Sequence, residues 1–224
     1  MGKVKELYLE AIQEEMEAAG ISDYDEYQYL HFLKSYVPHE PYARYNNSIE
    51  RLDEIAENSR HLADYPMFHR MMLVQHVAIL EAYLADRLIT LVTSKPHLPQ
   101  ALVLNHPTLK TQKYPLEAFV GNPNLVADKI TTHLKSVLYH ELELVADLYK
   151  AALGFDMLAD QSSSAILKQC MIDRHHCVHR DGKDNLGRIL SEINSEYIVR
   201  MRDSSVELVS HIEEQCDPWT GPPI

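Results

Sequence analysis

The sequence predicts an all-α protein, and three observations carry that prediction. Apolar residues recur at helical spacing along most of the chain, no run of strict polar/apolar alternation bounded by turn residues occurs, and glycine is scarce at 7 of 224 residues. A composition of 46% hydrophobic and 24% charged residues is that of a folded globular chain. The first helix is expected over Lys3 to Ala19, with Val4, Leu7, Tyr8, Ala11 and Ile12 on one stripe and Gly20 as its stop. A second follows from Asp23 to Tyr36, ended by Pro38 and Pro41. A third runs from Asn47 to Leu62, opening on an Asn-Ser pair suited to capping. After Pro66 comes a long apolar helix to Thr93.

Five prolines between Ser94 and Asn124 forbid one continuous helix, so a loop with a single short turn near Leu116 to Val120 is expected there. Such a long connection in a compact domain is usually functional. A long helix is then expected from Leu125 to Leu153, closed by Gly154, and another from Ser162 to Val178. A last helix should span Leu186 to Glu214, after the turn-rich Arg180-Asp-Gly-Lys-Asp-Asn185 segment. The expected organisation is an N-terminal helical extension over 1–65 packed on a bundle over 66–214, with a flexible tail over 215–224.

The most apolar stretch, Met71 to Val92, is interrupted by Gln75, His76, Glu81, Asp86 and Arg87, so it reads as a buried central helix and no membrane association is expected. Cys170, Cys177 and Cys216 are too few and too unevenly placed for a disulfide framework, and Met1 to Glu10 lacks the apolar core of a secretory signal. The expected compartment is the cytoplasm. With 21 basic against 33 acidic residues the net charge is −12, which repels polyphosphate at long range and excludes a general nucleic-acid coat. Between Gln161 and Leu190 the balance reverses: Lys168, Arg174, Arg180, Lys183 and Arg188 stand against Asp173, Asp181 and Asp184.

Within that stretch lies Asp173-Arg-His-His-Cys-Val-His-Arg180, with three histidines and two arginines. Arg174 is followed by four residues and His179, late in a series of helices and before a turn and a last helix. This arrangement resembles the RxxxxH signature of the HEPN superfamily, down to the polar residue directly after the arginine. The segment Ala78 to Leu88 resembles the earlier long helix of these domains, and the similarity spans roughly residues 66 to 214. The resemblance implies an antiparallel helical bundle and a metal-independent ribonuclease of a prokaryotic toxin or anti-phage defence system. It further implies that the enzyme cuts single-stranded RNA as a homodimer whose two motifs meet in one cleft, with no cofactor, and that an antitoxin or other defence protein is a possible partner. Arg174 and His179 then carry catalysis, while Asp173, His175, His176, Arg180 and Lys183 support it or bind RNA. Some members carry a tyrosine two residues after the motif histidine, the target of nucleotidylation by an antitoxin. Asp181 occupies that position here, so this form of regulation does not carry over.

The residue types suit the chemistry independently. Attack of a ribose 2′-OH on its phosphate needs a base, an acid for the departing 5′-oxygen and a cation for the phosphorane. Histidine serves either proton role near neutrality, and the planar fork of arginine holds two phosphate oxygens. On an ideal helix, however, Arg174 and His179 point about 140° apart, so the helix is expected to end or distort near Val178. Plainer roles suit the same residues. Arg174 can pair with Glu141 or Glu143, His179 can meet the helix dipole, and His175 with His179 has the i, i+4 spacing of a metal-binding pair. Cys170 and Cys177 read as core residues. His133 and His140, together with Glu81 and Tyr83, read as core polar pairs, and the aromatic set from Tyr24 to Tyr36 reads as a packing face. A non-catalytic HEPN dimer that binds a nucleotide or a partner protein is the alternative function.

Overall fold

The computed structural model describes residues 12, 13, 16, 23, 24, 27 and 39–220. Most of the two N-terminal helices expected over 3–36 lies outside the described residues. The chain divides into two compact units, 1–37 and 38–224. In the first, Ile12, Met16 and Tyr27 form a small apolar cluster. The second is all-α, with nine helices and no strand among the described residues.

Its first helix, α1, spans Pro41–Asn58 rather than starting at Asn47. Pro41 occupies the first turn, where its missing N–H removes no helical hydrogen bond and its fixed φ already suits the helix. Tyr45, Ile49 and Leu52 of α1 belong to the main core, so the boundary expected at residue 65 falls instead between 37 and 38. The central helix α2 spans Pro66–Ser94, close to expectation. Leu73, Val77, Leu80, Leu84 and Leu88 on it are completely buried, and α1, α6, α8 and α9 (bounds below) all pack against it. Its polar residues are held at the edges of that burial. Asp86 meets Arg44 at 3.5 Å, and Arg87 donates to Glu213 at 2.6 Å. No helix among the described residues is long and apolar enough to cross a membrane.

The segment expected as a loop folds into three short helices, α3 His97–Asn105, α4 Pro107–Lys110 and α5 Leu116–Gly121. Pro96, Pro107 and Pro115 sit at their starts instead of interrupting them, and Leu98 and Leu102 are buried against the bundle. Conversely, the single helix expected over 125–153 is two, α6 Leu125–Ser136 and α7 Leu142–Leu153. Between them Val137 is extended, and the buried Tyr139 donates its hydroxyl to the Leu134 carbonyl at 2.9 Å. That carbonyl also accepts from the Val137 amide at 3.4 Å, so the tyrosine adds a second donor at a helix end that has no Gly or Pro stop.

Helix α8 spans Gln161–Arg180, with the Asp160 carboxylate accepting from the Ser162 and Ser163 amides. The last helix, α9, spans Ser195–Thr220, starting nine residues later than expected. The intervening residues are claimed by a turn around Asp184, which accepts from the Leu186 and Arg188 amides at 2.8 and 2.9 Å, and by a bridge between Lys183 and Ile189. Asn194 then caps α9 through the Tyr197 amide. The tail expected from 215 is helical as far as Thr220, and Cys216 is fully buried.

Two predictions follow from this core. Leu84→Ala should lower unfolding free energy by about 2–5 kcal/mol, read from urea denaturation with an unchanged m-value. Burial also holds His69, His76, His106 and His133 below the ordinary histidine value of 6.5. Below that pH the unfolded chain takes up protons that the folded rings resist, so stability should fall as pH is lowered from 7.5 to about 5.5, as urea midpoints will report.

Candidate functional site

The motif helix α8 presents two chemically different faces near its C-terminal end. Inward, Asp173 is 2% exposed, accepting from the Tyr197 hydroxyl at 2.5 Å and from the Gln169 amide at 3.0 Å. Burial first, and then the hydrogen bond to Asp173, drives the Tyr197 hydroxyl far above its ordinary range, so it stays a donor. Asp173 therefore fastens α8 to α9 and does not line a cleft. Outward, His175 and His179 are exposed one turn apart, with ring centroids separated by 4.6 Å. Desolvation, followed by the positive charge of His179, Arg180, His176 and Arg174, holds His175 below the usual histidine range.

His176, though buried, links this face to the following turn. Its Nδ1 lies 3.3 Å from an Arg180 guanidinium nitrogen that also donates to the Asn185 side chain. His140, His175, His176, Arg180 and Asn185 border an open groove of about 420 Å³ floored by Met171 and Ile172. Among the described residues no carboxylate lines it, so its charge favours an anion. Lys183 is exposed on the turn beyond, next to the segment that Arg70 fixes by donating to the Asp181 carbonyl.

The helix does not end at Val178. It continues through Arg180 and stops at Asp181, whose left-handed backbone (φ 51°) is followed by Gly182 at φ 73°. Arg174 and His179 thus remain on one uninterrupted helix, about 140° apart. Arg174 turns toward α2 and lies 3.9 Å from Glu81, not beside Glu141 or Glu143; Lys168 takes Glu143. The other Glu81 oxygen is 3.5 Å from His140 Nδ1. These are ion-pair separations longer than good hydrogen bonds, and Glu81 Oε1 and Arg174 Nε are buried without a hydrogen-bond partner.

Glu81 and His140 are the site residues that sequence reasoning passed over as core polar residues. A carboxylate inside the apolar α2 stretch was the available signal for Glu81. Nothing marked His140, because its position depends on the unforeseen break between α6 and α7. His133, expected to share its helix, sits instead against His106, with ring centroids 5.8 Å apart. Cys170 is fully buried and Cys177 half-buried; burial pushes both thiols up to about 11, as core residues require.

Tyr197→Phe should destabilise the fold by about 1.5–3 kcal/mol in urea titrations, because it leaves a buried carboxylate short of a donor. Compared with protein-family models, curated proteins and solved structures, the chain matches none.

Proposed function

We propose that this chain is a metal-independent endoribonuclease of the HEPN type, cleaving single-stranded RNA by 2′-OH attack in a prokaryotic toxin or anti-phage defence setting. The observation that carries the reading is the exposed His175–His179 pair, rings 4.6 Å apart, beside a groove edged by Arg180 and free of carboxylates. Two adjacent imidazoles supply the two residues that a base and an acid require. His179 acts as general acid/base, with His175 as its neighbour in proton transfer. Arg174 is the phosphate-binding cation; its loose 3.9 Å hold on Glu81 leaves the guanidinium fork open to a bidentate phosphate.

Because Arg174 and His179 of one copy point apart, the site is completed by a two-fold partner supplying the second set. The turn carrying Lys183 and Arg188 offers further backbone-phosphate contacts. A second reading, a non-catalytic dimer that recognises a nucleotide or a partner protein, is favoured by the tether of Arg174 to Glu81 and by the net charge of −12.

Purified protein incubated with single-stranded RNA in EDTA should cut it. Arg174→Ala and His179→Ala should each lower the rate by about 10²–10⁴-fold. Cutting abolished by the chelator, or normal cutting by both variants, refutes the mechanism. Binding without products, kept in His179→Ala and lost in Arg174→Ala, selects the second reading.

A further inference from the structure

A second cavity, of about 580 Å³, opens between α1 and the N-terminal halves of α2 and α9, away from the His175–His179 groove. Its size is that of an organic-ligand pocket, and Ala56, Phe68, Met72, Ile198 and Val199 supply apolar walls. Three carboxylates and two guanidiniums stand at its rim, and both guanidiniums are engaged. Arg202 reaches Asp53 at 2.8 Å and Asp203 at 3.0 Å, and Arg60 pairs with Glu57 at 2.5 Å. An anion would have to displace one of these carboxylates, and a cation would have to leave water for the apolar walls, so the cavity suits an uncharged guest.

The polar group that distinguishes this cavity is His76. Its ring is 2% exposed, and Nδ1 lies 2.9 Å from the Met72 carbonyl. A carbonyl only accepts, so Nδ1 carries the proton and Nε2 of the neutral ring is a bare acceptor. Among the described residues Nε2 has no hydrogen-bond partner. The other histidine on this wall, His69, already has the Ser195 hydroxyl at 3.0 Å from its Nε2. Burial lowers the proton affinity of His76, so the acceptor persists at neutral pH. A buried acceptor without a donor is destabilising, a deficit that a guest's donor removes. Nε2 is closed to bulk solvent. The guest therefore reaches it as the wall parts, and Met72, an unbranched thioether one turn before His76 on that wall, is suited to move.

We propose that this cavity binds a small, flat, uncharged aromatic or heteroaromatic molecule through one N–H or O–H donated to His76 Nε2. The ring lies against Phe68 and Met72, and the donor points to the floor. The inference does not depend on the ribonuclease reading, since none of its residues belongs to that site.

The full chain, labelled with ¹⁵N, is titrated with phenol and indole, and separately with anisole and 1-methylindole, which keep the flat body but lack the donor. In the free protein His76 Nε2 should show the shift of an unprotonated ring nitrogen, and phenol and indole should move it. Each should bind about ten-fold tighter than its methylated counterpart, the factor worth one hydrogen bond. His76→Phe should erase that preference while retaining weak binding. A protonated Nε2 in the free wild-type protein overturns the proposal without recourse to any variant. So does equal affinity for donor and methylated compounds, or failure of both phenol and indole to bind at their solubility limits.

Discussion

The burial of α2 is the constraint from which the rest of this unit follows. Leu73, Val77, Leu80, Leu84 and Leu88 are removed from water completely, and residues on neighbouring turns bury most of the remaining circumference. A helix whose wet stripe, apart from its ends, is confined to Met67, Met71, Gln75 and Ala82 is stable only when the rest of it is covered, which recruits α1, α6, α8 and α9 around it. Its few charged groups are then constrained to find partners on those covering helices or in the turn between α6 and α7. Glu213 for Arg87, Arg44 for Asp86, and Arg174 with His140 for Glu81 are such partners. Packing thus determines where charge can be placed.

The same constraint gives α8 its two characters. One side supplies Leu167, Cys170 and Met171 to the core, and Asp173 locks it to Tyr197. An adjoining stripe, one turn beyond Met171, is left with His175 and His179 in solvent. The 2.5 Å bond from Tyr197 to Asp173 ties the helix to α9 and restrains its rotation, while the 3.0 Å bond from Gln169 lies within α8. The exposed histidines are therefore presented by a helix anchored to its neighbour. Beyond Arg180 the chain reverses through Asp181 and Gly182, where the Arg70 side chain packs so closely that a Cβ at Gly182 would collide with it.

Much of the fold was legible in the sequence. The long helix after Pro66, the helix ending in the histidine cluster and the absence of sheet pattern all followed from periodicity, which reports burial directly. Prolines misled in both directions. Read as breakers, Pro41, Pro96, Pro107 and Pro115 instead stand at helix starts, because a missing N–H is harmless in a first turn. The break at residues 137–141 carried no Gly or Pro; there the buried Tyr139 turns its hydroxyl back to the Leu134 carbonyl.

By itself, the sequence determined the helical class, the apolar central helix and the local reversal of charge around Arg174 to Arg180. Each depends on residue type and spacing along one short segment. Only the tertiary structure decided that α8 runs unbroken past Val178, that Asp173 faces inward, and that Arg174 meets Glu81 while His179 meets His175. Those outcomes turn on the angular position of one helix against its neighbours and on residues 93 positions apart. Separations of that kind are set by how side chains fill the space around α2, which no local pattern encodes.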